Sequence, residues 1–74
     1  MNYIITFHTV SEVLRFETML KREQIKVKLM PVPRQFSSSC GLCGKVAEED
    51  LERIKELAAS ENVEFDQIYE FGDK

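Results

Sequence analysis

Cys40 and Cys43 are the only cysteines of this 74-residue chain, and they fall together in Ser37-Ser38-Ser39-Cys40-Gly41-Leu42-Cys43-Gly44. Two thiols at C-x-x-C spacing can pass sulfur, pass electrons or hold a metal ion. They make a poor structural staple. The loop-closure term of so short a ring is about 2 kcal/mol, against roughly 4.7 kcal/mol for a 100-residue loop. A thioredoxin-type motif opens a helix after a strand, whereas this pair precedes a strand. A structural zinc wants four ligands and the pair supplies two. His8 could be a third within one chain, and a second chain could supply another pair.

The residues around the pair widen the chemistry. Arg34 sits between Pro33 and the serine run, and an arginine fork suits an oxyanion. Ser37, Ser38 and Ser39 could donate to the same anion or hold the turn. His8 is the single histidine, a potential source of charge near neutral pH. Gly41 and Gly44 alone match no phosphate-binding loop.

The composition sets outer limits. The length suits a single domain, residues 1–74, with no room for a second. Net charge is -3 with a pI near 5.1, which speaks against nucleic acid or anionic membrane as a partner, since both need clustered Lys and Arg. The first residues, Met1-Asn2-Tyr3-Ile4-Ile5-Thr6-Phe7, lack the basic start and long apolar core of a signal peptide. No apolar run approaches the roughly 20 residues of a membrane helix. The expected compartment is the cytoplasm, where thiols stay reduced.

The positioning elements follow from periodicity. Residues 2–7 are apolar on both faces and suit a central strand. Thr9 and Glu12 form a T-x-x-E capping box that opens a helix to about Glu23, with Val10, Val13, Leu14, Phe16 and Leu20 as its buried stripe. Ile25–Leu29 alternates as a half-buried strand whose outward lysines suit an edge, and Pro31 and Pro33 end it. A Pro/Ser/Gly loop over 31–41 leads to a short strand at about 42–47, interrupted by Gly44. The acidic run Glu48-Glu49-Asp50 starts a second helix, with Leu51, Ile54, Leu57 and Ala58 on its apolar face and Asn62 closing it in the left-handed conformation. Phe65–Phe71 is the last strand, with Phe65, Tyr69 and Phe71 on one face and Ile68 on the other. Phe7, Phe16, Phe65 and Phe71 are expected in the core, and Tyr3 and Tyr69 on the open sheet face.

The order β-α-β-β-α-β predicts an α+β, ferredoxin-like two-layer sandwich, with two helices on one face of a four-stranded antiparallel sheet. Strand 1 runs up, the first helix down and strand 2 up. The 31–41 loop therefore turns at the end where strand 1 meets the first helix, so His8, Thr9 and Val10 should flank Cys40. Positive charge there favours a thiolate, the reactive form. Cys40, in the loop, is then the exposed nucleophile. Cys43, at the strand, is a resolving thiol or second ligand.

The segment Pro31-Val32-Pro33-Arg34-Gln35-Phe36-Ser37-Ser38-Ser39-Cys40-Gly41 resembles the signature of a family of small bacterial domains described as selenium/sulfur carrier-like. The resemblance extends over nearly the whole chain. It implies a carrier more than a stand-alone enzyme, holding a chalcogen atom on Cys40 as a persulfide or selenenyl sulfide. Arg34, Ser37, Ser38, Ser39 and Gly41 are its motif neighbours, and the partners are sulfur or selenium donor and acceptor proteins. No cofactor or bound metal is implied. Two other readings stay open from the residues: a metal-binding or thiol redox-sensing module, and a non-catalytic regulatory module that dimerises through the open sheet face.

Overall fold

The computed structural model describes residues 1–36 and 40–72. Strands β1 (Asn2–Thr6), β2 (Lys28–Pro31), β3 (Leu42–Ala47) and β4 (Ile68–Phe71) and helices α1 (Val10–Arg22) and α2 (Glu48–Glu61) follow in the order β-α-β-β-α-β. The sheet runs β2-β3-β1-β4 with every neighbouring pair antiparallel. Both helices cover one face, which is the ferredoxin-like arrangement that the periodicity predicts. Among the described residues, no helix is long and apolar enough to cross a membrane.

Helix α1 begins as its capping box requires. The Thr9 hydroxyl accepts from the Glu12 amide at 3.2 Å, and the Glu12 carboxylate accepts from the His8 amide at 2.8 Å. The carboxylate thus reaches one residue further back than the usual box, which serves the cap's own N–H. The helix ends in a Schellman motif: Gln24 turns left-handed at φ 60°, its amide bonds to Lys21 O, and the Ile25 amide bonds to Leu20 O. Helix α2 closes similarly, with Asn62 at φ 57° and the Val63 amide on Ala58 O. In both, the residue after the left-handed one is a buried apolar side chain, Ile25 or Val63.

That closure explains where β2 departs from expectation. Ile25 is spent on the helix end, so the strand begins at Lys28 and runs through Pro31. Proline is tolerated there because β2 is an edge strand. At the other edge β4 begins only at Ile68. Asp66 and Gln67 are held instead by Thr6, whose backbone carbonyl accepts from the Asp66 amide and whose hydroxyl accepts from the Gln67 amide. The bend separates Phe65, packed on the helix-side core, from Tyr69 and Phe71 on the opposite face.

The stripe of α1 is also rotated from the expected one. Val13, Phe16, Met19 and Leu20 are buried, whereas Val10 and Leu14 are 50% and 55% exposed. At 3.6 residues per turn, those two lie more than about 100° round from the stripe's centre. Tyr3 is a further correction: it packs against the helix-side core with Ile5 and Phe7 instead of lying on the open face.

Gly44 does not interrupt β3. It lets the helix layer approach the strand: a Cβ there would stand 3.1 Å from Val27 Cγ2 and 3.4 Å from the Phe16 ring. Since side chains alternate along a strand, Gly44 and Val46 face the helices while Cys43, Lys45 and Ala47 face away.

Candidate functional site

The register places both cysteines at one end of the sheet, Cys43 opposite Thr6 on β1 and Met30 on β2. The loop that carries Cys40 leaves β2 at Pro31 and is tied at its neck by the Val32 amide on Gly41 O, 3.1 Å. Gly41 sits at φ 79°, a conformation that L side chains rarely adopt. The signature glycine is thus the residue that lets the chain turn from Cys40 into β3.

The two sulfurs occupy different environments. Cys40 is partly buried and packs against the helix-side core. Its Sγ lies 3.3 Å from the Leu42 carbonyl and 3.4 Å from the Leu42 amide nitrogen. The thiol can donate to the carbonyl, and the amide can donate to a sulfur that has lost its proton. Cys43 points to the opposite face and is 0% exposed, with Sγ 3.9 Å from the Pro31 carbonyl. Burial, and then the neighbouring Cys40, push its thiol above the ordinary range. Neither cysteine is in a disulfide.

Burial on a face without helices needs a cover. Ile4, Thr6 and Cys43 are all 0% exposed, and all three belong to the helix-free face by alternation. Phe36 comes back over this face from the loop and stacks on Tyr69, with centroids 4.4 Å apart and 16° between planes. It also meets Phe71 edge-on at 6.5 Å. Phe71 is therefore part of this second, smaller apolar layer and not of the main core. The expected open surface is partly occupied by the chain's own loop.

His8 stands at the start of α1, half exposed, with both ring nitrogens turned to carboxylates: Nδ1 lies 3.2 Å from Glu12 and Nε2 lies 3.4 Å from Asp66. The ring is thereby tied to the cap of α1 through Glu12. Arg34 is exposed in a turn in which the Phe36 amide bonds to Pro33 O. Ser37, Ser38 and Ser39 lie outside the described residues. Among the described residues, no group of three or more His, Cys, Asp or Glu side chains is placed to hold a metal ion.

Residues 2–70 match the family described as "Putative Se/S carrier protein-like". The chain belongs to that family. No curated protein and no solved structure matched the chain. For this Se/S carrier-like chain, the residues that sequence reasoning missed are Phe36 and the Leu42 backbone. Phe36 did leave a signal: it is the one aromatic side chain in an otherwise Pro/Ser/Gly-rich loop, and such a side chain needs somewhere to dock.

Proposed function

We propose that this protein carries sulfur or selenium on Cys40, and that it does so as a one-thiol carrier. The difference between the two sulfurs carries the reading. Cys40 is partly accessible beside a backbone N–H, while Cys43 is sealed on the other face with its thiol held protonated. Membership of the Se/S carrier-like family supports the same reading.

Loading is an exchange without net oxidation. The Cys40 thiolate attacks the outer chalcogen of a donor persulfide or selenenyl sulfide, the donor's S–S or S–Se bond breaks, and the donor leaves as a thiolate. The product, Cys40–S–S⁻ or Cys40–S–Se⁻, carries negative charge on the terminal atom. The Leu42 amide, Arg34 and the serine run 37–39 are the groups we assign to hold it, with Gly41 shaping the turn. An acceptor thiolate reverses the exchange. The donor and acceptor are proteins of the same thiol chemistry. His8, bridged to Glu12 and Asp66, orders the start of α1 next to this loop in our reading.

The test is mass spectrometry of the protein after incubation with a persulfide donor such as glutathione persulfide, followed by alkylation. A gain of one sulfur on Cys40, retained in Cys43→Ser and lost in Cys40→Ser, is the expected result. Loading that needs Cys43, or no adduct on Cys40, defeats the reading.

A further inference from the structure

A persulfide on Cys40 has a competitor for its cargo within the chain. At C-x-x-C spacing the Cys43 sulfur can attack Cys40 Sγ, the inner atom of the persulfide. The Cys40–Cys43 disulfide forms and the bond from Cys40 Sγ to the terminal sulfur breaks. The terminal sulfur leaves with the electron pair and the Cys43 proton, as hydrosulfide. The two cysteine sulfurs lose one electron each and the departing sulfur gains two, so no outside oxidant enters. With selenium the product is hydroselenide. A carrier that discharged in this way would lose its atom to solvent before an acceptor arrived.

The folded chain keeps the two sulfurs apart. Cys40 packs against the helix-side core, with its Sγ turned to the Leu42 backbone. Cys43 faces the other side, fully buried, in β3 between Thr6 and Met30. A disulfide needs side chains that converge, so the bridge requires residues 40–43 to leave this arrangement. The register shows what lies over Cys43. Strand β2 ends at Pro31, opposite Leu42. Phe36 stacks on Tyr69, whose partner on β1 is Ile4, itself level with Lys45. Segment 32–36 therefore folds back over the helix-free face across the level of Cys43 and Thr6. It is tied to Gly41 O by the Val32 amide at one end and docked on Tyr69 and Phe71 by the Phe36 ring at the other.

We infer that Phe36 is a positioning residue that decides which thiol receives the cargo: docked on Tyr69, it keeps Cys43 from reaching Cys40 Sγ and reserves the terminal sulfur or selenium for a thiol from outside. This rests on the carrier reading and adds to it the fate of the bound atom. The raised thiol of Cys43 acts in the same direction, because the thiolate is the attacking form.

The experiment loads the protein with glutathione persulfide, removes the donor by gel filtration and incubates the product without an acceptor thiol. Released sulfide is trapped with monobromobimane, and the Cys40–Cys43 disulfide is read by intact mass. The native protein should keep its sulfur. F36A should release sulfide about tenfold faster or more, with disulfide appearing in step. F36Y, which keeps a stacking ring, should behave as native, and F36A/C43S should keep its sulfur, which separates discharge by Cys43 from general loosening of the fold. Phe36 has no such role if F36A releases sulfide no faster than the native protein, or if F36A/C43S releases it as fast as F36A. A native protein that takes up no sulfur on Cys40 defeats the carrier reading itself, and the role of Phe36 with it.

Discussion

Phe36 and Tyr69 stack face to face, 4.4 Å between centroids, across the helix-free side of the sheet. One ring belongs to the cysteine loop and the other to the far edge strand, so the loop is anchored to β4 across the two strands between. An aromatic pair of this kind contributes about 0.5–1.5 kcal/mol beyond its buried area. The anchor sits on the face into which Cys43 is sealed.

Removing the anchor should therefore change thiol reactivity more than it changes the fold. In the native protein, iodoacetamide is expected to label Cys40 quickly and Cys43 slowly. Phe36→Ala should speed labelling of Cys43 by about tenfold or more while leaving Cys40 within a few-fold, the difference being loss of cover. Peptide mass mapping over a labelling time course reads both sites. Equal rates at the two cysteines in the native protein would refute the account.

Ionisation of Cys43 couples to stability in a direction that can be worked out. Its thiol is raised in the folded state from an ordinary value of 9.0, so the folded state holds a proton that the unfolded state releases. The stabilisation is fully present below that value and is lost as pH climbs through the raised folded one. Urea unfolding at pH 8 and pH 10 should show a drop that Cys43→Ala reduces and Cys40→Ser does not.

Glu12 acts at the acid end with the opposite sign. The His8 amide, bonded to its carboxylate, holds it below its ordinary value of 4.5. Its contribution is present above that value and is lost as pH falls through the lower folded one. Unfolding midpoints between pH 6 and pH 3 should fall less steeply in Glu12→Gln than in the native chain. Thr9→Ala should cost about 0.5–2 kcal/mol throughout, since it removes the other half of the cap.

Gly44 supplies a packing test. Valine there would drive its branches into Val27 and the Phe16 ring, whose atoms already stand 3.1 and 3.4 Å from a bare Cβ. A loss of about 1–3 kcal/mol is expected from overpacking, read as a lower urea midpoint at unchanged slope. The neighbouring Lys45→Val, on the face without helices, should not reproduce it.

Much of this architecture is legible in the residues. Thr9 and Glu12 mark the start of α1, Asn62 marks the end of α2, and the alternation of apolar and helical spacing yields all six elements in order. What escaped is what depends on contacts distant in sequence. Nothing local distinguishes Ile25 as a helix-closing side chain from Ile25 as the first residue of a strand; the left-handed Gln24 decides it. Parity groups Cys43 with Lys45, but which face that is depends on Phe16 lying over Gly44. Cys40, Arg34 and Gly41 stand out through their signature, whereas the docking of Phe36 requires knowing where Tyr69 is.

The sheet order also has a bearing on how the molecule comes into being. β1 lies between β3 and β4, so the strand synthesised first receives its last neighbour only once residues 68–71 have been made. Until then the edge of β1 that will pair Ile4 with Tyr69 and Ile5 with Ile68 has no β4 beside it. Pairings of such long sequence separation are slow to form. The interval before β4 closes on β1 is when this chain is most exposed to aggregation.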